Sequence, residues 1–120
     1  DTYCLFHSDG DLWSVLDDLV QAGIDGLNPI EVAAGMTVAE VRERYPDLFL
    51  TGGVDVSQLL PLGTPDEVRE ACLQNVRAVN RVGYFIGSST ELHWEIPLEN
   101  ILAMLQVAHG DEFAQAPADS

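Results

Sequence analysis

The sequence predicts an α/β domain of four βα units with parallel strands. Short apolar runs, each suited to a buried strand, alternate along the chain with amphipathic stretches of helical period. No two runs are joined by the short turn that is typical of antiparallel hairpins. The most distinct run, residues 48–51, is followed by two glycines and Asp55. This arrangement is expected where a strand reaches the ligand-binding edge of a parallel sheet.

The first βα unit begins with a predicted strand at residues 3–7. The turn at residues 8–11 then supplies candidate helix caps, among them Asp9. Gly23 lies where a helix C-cap is expected. Between them, five apolar residues have the spacing of one helix face: Leu12, Val15, Leu16, Leu19 and Val20.

In the second unit, residues 24–28 form a predicted strand. We expect Pro29 to end it, because proline cannot donate a hydrogen bond to a neighbouring strand. After a loop, Thr37 and Glu40 have the spacing of a capping box, which predicts a helix that ends before Pro46.

The third unit contains the run that ends at Gly52 and Gly53, which we interpret as a turn after the strand. Residues 57–63 are a predicted loop whose leucines cover the end of the core. A helix then runs from residue 64 to Gly83, with its apolar face formed by Val68, Ala71, Cys72, Val76 and Val79.

The fourth unit has a predicted strand at residues 84–87 and a loop at residues 91–96. Its helix starts at Pro97. The spacing predicts a buried face that consists of Leu98, Ile101, Leu102, Leu105 and Ala108. We therefore place one domain at residues 1–110 and a polar C-terminal tail at residues 111–120.

Charge and cysteine content exclude several classes of protein. Twenty acidic residues and five arginines give a formal net charge of −15, which disfavours binding to nucleic acid and to anionic membranes. No segment has the ~20 consecutive apolar residues of a membrane span. Cys4 and Cys72 lack the spacing of a metal site, so we expect a reduced, cytoplasmic protein.

Five segments come in the order and spacing of a known family: residues 7–10, 23–28, 51–55, 63–68 and 97–101. With these segments the chain resembles the uroporphyrinogen decarboxylase family. Its members are (β/α)8 barrels that include the decarboxylase of porphyrin biosynthesis, a lyase, and cobalamin-dependent methyltransferases acting on methylated thiols, amines or methanol. The resemblance covers roughly residues 3–109 and corresponds to the C-terminal half of the barrel, its last four βα units.

The resemblance implies a half-barrel, because a complete barrel of this kind has about 250 residues. Four strands leave the polar groups of two edge strands unpaired. Three arrangements remain open: a homodimer, completion by a missing N-terminal half, or an open flavodoxin-like sheet. We expect a homodimer, and we expect an isolated monomer to be inactive.

The resemblance also implies a set of site residues at the barrel mouth. His7 and Asp55 are the candidate catalytic residues. An alternative role for His7 is a structural hydrogen bond, and for Asp55 a turn that binds local amides. The candidate substrate-binding residues are Asp9, Asn28, Glu31, Gly52, Gly53, Ser88, Ser89, Thr90 and His93.

Two motifs of the family are incomplete in this chain. The methyltransferases hold zinc with His-x-Cys-Gly and a later cysteine, whereas this chain has residues 7–10 as His-Ser-Asp-Gly and Ser89 or Thr90 at the later position. Because both thiolates are absent, we predict no zinc and no other cofactor. A mixed site of His7 with Asp9, Glu31 or Asp55 is an alternative that the spacing does not support. The decarboxylases carry Gly-His-Gly where Thr90 stands here, and His93 is a candidate substitute for that histidine.

The resemblance therefore implies lyase or methyltransferase chemistry on a tetrapyrrole or a small methylated substrate, provided that a partner half completes the barrel. Alternatives are a non-catalytic binding or assembly module and a truncated fragment without activity of its own. The arginines argue against unaided porphyrinogen binding, since all are predicted on helices, away from the mouth: Arg42, Arg44, Arg69, Arg77 and Arg81.

Overall fold

The structure, a computed structural model, describes residues 1–110. Four parallel strands form one sheet in the order β1-β2-β3-β4: β1 Leu5–His7, β2 Gly26–Ile30, β3 Phe49–Val54 and β4 Tyr84–Ser88. The sequential order is that of neighbouring strands in a (β/α)8 barrel, and it differs from the 2-1-3-4-5 order of flavodoxin-like sheets. The prediction of four parallel βα units, a half-barrel with two open edges, is confirmed.

Helices follow each strand as predicted. They are α1 Leu16–Ala22, α2 Val38–Arg44, α3 Leu59–Leu62, α4 Pro65–Ala78 and α5 Leu98–His109, with a 3-10 turn at Val32–Ala34. The cap signals are confirmed. Thr37 accepts a hydrogen bond from the backbone N–H of Glu40 at 3.2 Å, Thr64 does the same for Glu67, and Gly23 ends α1 with a φ of 107°.

The two faces of the sheet have different surroundings. Phe6, Leu27 and Leu50 lie in one row across neighbouring strands and pack into the core beneath the helices. The alternate side chains, which include Leu5, Phe49 and Phe85, point to the opposite face, because successive residues of a strand alternate. We call this second face, defined by Leu5, Gly26, Phe49, Thr51 and Phe85, the open face. It carries exposed apolar side chains, since Leu5 and Phe85 are 51% and 64% exposed.

Two strands differ from the prediction. β2 does not end at Pro29 but continues to Ile30, which pairs with Gly52 after a shift of register. Gly52 and Gly53 lie inside β3, at φ values of 103° and 85°, rather than in a turn after it. The strand continues through these glycines because both still pair with β4. In addition, the carbonyl of Gly52 accepts a hydrogen bond from the Tyr84 hydroxyl, and the carbonyl of Gly53 accepts one from the Asn75 amide.

Two helix boundaries also differ. The predicted loop at residues 57–63 contains α3, in which Leu60 is buried but Leu62 is exposed. Asp9 does not cap α1, because α1 begins at residue 16 and the preceding turn is held instead by Asp11, whose carboxylate accepts a hydrogen bond from the N–H of Trp13 at 3.0 Å.

The predicted buried face of α5 is confirmed only at Ile101, which packs against the core. The helix buries Asn100, Ala103 and Met104 against α3 and α4. The other predicted core residues are exposed: Leu98 (68%), Leu102 (39%), Leu105 (37%) and Ala108. The predicted tail lies outside the described residues. Within the described part of the chain, no helix is long and apolar enough to span a membrane.

Candidate functional site

A cleft of about 220 Å³ lies where the strands reach their carboxyl ends, the edge at which parallel α/β folds bind ligands. The structure brings four predicted site residues together in it: His7, Asn28, Ser88 and Thr90. We call it the rim cleft. Its full lining is His7, Asn28, Pro29, Thr51, Gly87, Ser88, Thr90 and Glu91.

Strand pairing positions the first two polar side chains. His7 is the last residue of β1 and is paired with Asn28 of β2, so the imidazole and the amide are neighbours. The pairing continues past the strand, since the N–H of Ser8 donates to the carbonyl of Asn28 at 3.0 Å. This fixed backbone holds the two side chains at the mouth of the open face.

The segment after β4 supplies the other side of the cleft. Ser88 donates a hydrogen bond to the carbonyl of Thr90 at 2.5 Å, and Thr90 donates to the carboxylate of Glu91 at 2.5 Å. The pKa of Glu91 is lowered, chiefly by the Thr90 hydrogen bond, with smaller contributions from its own backbone N–H and from the electrostatic interaction with His7. Glu91 is therefore a charged carboxylate within electrostatic reach of the imidazole.

Two other predicted residues support the rim without lining the cleft. Glu31 accepts a hydrogen bond from the N–H of Gly10 at 2.5 Å and so connects the loops after β2 and β1. Ser89 is buried, and its hydroxyl accepts from the N–H of Val32 at 3.3 Å. Asp9 is exposed and outside the cleft. Substrate-binding roles for these three residues stay predictions.

The carboxylate of Asp55 is occupied by local hydrogen bonds. It accepts from the N–H and hydroxyl of Ser57 at 3.1 and 2.8 Å, and from the N–H groups of Gln58 and Leu59 at 2.9 and 3.1 Å. Partial burial alone would raise the pKa of Asp55, but these hydrogen bonds together lower it. Its catalytic role stays a prediction, and the contacts favour the alternative role in a turn.

The remaining predicted residues also contact backbone. Nε2 of His93 lies 2.9 Å from the carbonyl oxygen of Val56, where it donates when it carries the ring proton. A Cβ atom at Gly52 would lie 2.8 Å from the backbone nitrogen of Ile30, so glycine is needed for the close approach of β2 and β3. Neither His93 nor the pair Gly52 and Gly53 lines the rim cleft.

The residues present do not fit the zinc site of the methyltransferases. The carboxylates of Glu31 and Asp55 accept hydrogen bonds from backbone N–H groups, and Asp9 stands where the motif has a cysteine. Among residues 1–110, no group of three or more histidine, cysteine or acidic side chains is placed to hold a metal ion. Cys72 is buried, which raises its pKa to about 11, and Cys4 is exposed outside the cleft.

Sequence reasoning does not identify Thr51 and Glu91 as residues of the site. The apolar run predicts a buried strand at Thr51, although alternation along β3 places this side chain on the open face. Glu91 falls in a predicted loop. The sequence does contain a signal that could have identified Glu91: it directly follows Thr90, the last of the polar site residues predicted after β4.

Comparisons with known proteins agree with the half-barrel fold. Residues 1–110 match the family model described as uroporphyrinogen decarboxylase (URO-D). Among solved structures, the chain is similar to a methyltransferase from Methanosarcina mazei, with a TM-score of 0.73 and 22% sequence identity. The match covers 95% of this chain and 32% of that one, so this chain spans about a third of the methyltransferase. No curated protein matches the sequence.

Proposed function

The chain belongs to the uroporphyrinogen decarboxylase family, and we propose that its rim cleft is half of an active site for methyl transfer involving a small methylated substrate. The other half of the barrel completes the site. In this proposal the isolated half-barrel binds the substrate weakly and does not turn it over.

The charge of the cleft carries this proposal. The half of the site that this chain supplies has a volume of about 220 Å³, which is room for a small molecule. No arginine or lysine lines the cleft, and its one charged acid, Glu91, repels carboxylates. The arginines have partners elsewhere: Arg42 binds backbone carbonyls, for example, and Arg69 binds Asp66 and Gln106.

The side chains of the cleft suit proton transfer. When a methylated thiol or alcohol gives its methyl group to a nucleophilic acceptor bound by the other half of the barrel, the carbon–sulfur or carbon–oxygen bond breaks and the leaving thiolate or alkoxide takes up a proton. His7, as an imidazolium, is the candidate donor of this proton, and the nearby carboxylate of Glu91 stabilises that imidazolium. Asn28 and Thr51 provide neutral hydrogen-bonding groups that can orient the substrate.

Amide chemical-shift mapping by NMR tests the proposed site. We would titrate the protein with a panel of small methylated thioethers, amines and alcohols. We expect at least one compound to change the amide chemical shifts of Asn28, Thr51 and Gly87, and these changes should reach saturation. His7→Gln should weaken this binding, whereas His109→Gln, at the far end of α5, should not. Tighter binding of uroporphyrin than of every small compound, or shifts confined to other surfaces, would contradict the proposal.

A non-catalytic binding module is the second candidate, and Asp55 favours it. The acid expected to share catalysis with His7 is occupied by four hydrogen bonds within its own turn. A turnover assay on the assembled protein separates the two candidates. Methyl transfer abolished by His7→Gln supports an enzyme, and saturable binding without turnover supports a binding module.

A further inference from the structure

We propose that Gly87 is a specificity-determining residue of the rim cleft, and that the space beside its Cα atom receives the leaving group of the substrate. The leaving group is the part that stays behind when the methyl group is transferred. The inference rests on the proposed function, because it says how the rim cleft selects its substrate. It is carried by the backbone conformation of Gly87, by the contacts that a side chain would make there, and by its position in the cleft.

Gly87 differs from the other glycines of the chain because its conformation does not require glycine. Seven of the ten glycines have a φ between 66° and 107°, where a side chain is strained: Gly10, Gly23, Gly35, Gly52, Gly53, Gly83 and Gly110. At Gly26 and Gly63, a Cβ atom would lie 2.9 Å from a side-chain atom of Leu5 and 2.6 Å from the backbone oxygen of Leu59. The φ of Gly87 is not positive, and Gly87 pairs with Gly53 as a regular residue of β4.

Packing does not require glycine at this position either. A Cβ atom at Gly87 would lie 3.6 Å from the backbone nitrogen of Gly52, 3.7 Å from the Cα atom of Gly52 and 3.7 Å from Oγ1 of Thr51. These are ordinary van der Waals distances. A glycine inside a strand lowers stability, because it has no side chain to pack and gives the unfolded chain more freedom. Such a glycine often marks a place where a ligand approaches the backbone closely, and we assign this role to Gly87.

The space that a side chain would fill at Gly87 is part of the rim cleft. Gly87 lines the cleft together with Thr51. Successive residues of a strand alternate between its faces, so Gly87 lies on the same side of β4 as Phe85, which belongs to the open face. Along this side, β4 therefore changes from a large apolar side chain to open space. A methyl group added at Gly87 would point into that space, towards the Thr51 hydroxyl.

The proposed reaction indicates which part of the substrate lies against Gly87. The methyl acceptor is bound by the other half of the barrel, so the methyl group points away from this chain. The sulfur or oxygen atom keeps the electron pair of the broken bond and faces His7, which donates the proton. The carbon group on that atom then extends over the backbone of Gly87, beside the Thr51 hydroxyl.

The lining of the cleft limits this carbon group to a small and uncharged one. Backbone atoms of Gly87 form the surface beneath it, and even a single added methyl group would occupy part of the space. The carboxylate of Glu91 repels an acidic group, and no arginine or lysine lines the cleft to bind one. We therefore expect substrates that are methyl thioethers or methyl ethers with a short, neutral second group, such as ethyl or propyl.

Binding measurements on the full chain test this selection. Wild type and Gly87→Ala are titrated with dimethyl sulfide, ethyl methyl sulfide and methyl propyl sulfide, and the amide chemical shifts of Asn28 and Thr51 are followed by NMR. Gly87→Ala should bind methyl propyl sulfide about tenfold or more weakly than wild type, because its methyl group takes the place of ligand atoms. The loss should be smaller for dimethyl sulfide. Equal affinities of the two proteins, or no binding of these sulfides by wild type, would overturn the inference, whereas the proposed function fails only if no compound of its larger panel binds.

Urea unfolding without ligand tests whether the fold needs glycine at this position. Gly87→Ala should unfold at the same urea concentration as wild type or at a higher one, because alanine restricts the unfolded chain and fits the folded strand. Gly23→Ala is the matched control with the opposite pattern. The φ of 107° at Gly23 strains alanine and lowers the midpoint, and binding is unchanged because Gly23 lies outside the rim cleft. A lower midpoint for Gly87→Ala would overturn the inference, and it would do so whether or not a substrate binds, so this failure is distinct from failure of the proposed function.

Discussion

The glycine pair inside β3 allows a quantitative test of how β3 packs against the helices. In Gly53→Ala, the new Cβ atom would lie 2.5 Å from a methyl group of Val38, a residue that is almost fully buried in α2. The φ of Gly53 is 85°, in the left-handed region. Strain of this kind costs about 1–2 kcal/mol and overpacking about 1–3 kcal/mol. We therefore expect a loss of about 2–5 kcal/mol in the free energy of unfolding.

Gly23→Ala is the matched control for this variant. Gly23 also has a positive φ, 107°, but no atom lies within 4 Å of the position that a Cβ atom would take there, so only the strain of about 1–2 kcal/mol applies. Urea denaturation followed by circular dichroism, at one fixed protein concentration, measures both losses. Adding Val38→Ala to Gly53→Ala should recover the overpacking part, giving a double variant more stable than the sum of the single losses predicts. Equal losses at Gly53 and Gly23, with strict additivity, would refute the reasoning.

Three further predictions follow from other contacts. The folded-state pKa of Asp55 lies below its unfolded value of about 3.9, so the stability it contributes is present above that pH and lost as pH falls through the folded value. Acid titration of unfolding should show a smaller loss of stability for Asp55→Asn than for wild type. Arg42 donates to four backbone carbonyls at 2.7–3.0 Å, so we expect Arg42→Lys to cost about 2–3 kcal/mol in thermal or urea unfolding, against about 0–1 kcal/mol for Arg77→Lys in an exposed pair. Iodoacetamide at pH 8 should modify Cys4 of the native protein and reach Cys72 only after unfolding, since burial raises the pKa of Cys72 to about 11; rapid native labelling of Cys72, read by mass spectrometry, would contradict this.

The alternation of strands and helices could be predicted because each element carries local signals. Thr37 and Thr64 mark helix starts through hydrogen bonds that span only three residues, and Gly23 marks a helix end through its own φ. Such signals do not depend on the rest of the chain. The parallel order of the sheet also followed from the lack of hairpin turns.

The position of the two glycines inside β3 could not be predicted from local signals. Gly52 and Gly53 have the φ values of a turn, but the side chains of Tyr84 and Asn75 bind their carbonyls and keep the segment within β3. Tyr84 is thirty-two residues away from Gly52 in the chain. A contact of that range is not visible in a local pattern, and the same holds for the pairing of Ile30 with Gly52.

Only part of the rim cleft could be predicted, because some of its contacts depend on strand pairing and others on the direction of a side chain. His7 ends β1 and pairs with Asn28 of the neighbouring strand β2, so their proximity follows from the topology alone. The role of Asp55 depends instead on the direction of its carboxylate, which faces the N–H groups at the start of α3. The stripe of α5 is a different case, since the sequence predicts burial and the single chain leaves Leu98 exposed.

Hydrogen–deuterium exchange on the isolated chain tests the central claim most directly, that this chain is one half of a closed barrel. We predict that the amides of β2 and β3, which are paired on both sides, are protected. The amides of the edge strands β1 and β4 that lack a neighbouring strand should exchange faster. Equal protection of all four strands in the isolated chain would contradict the claim.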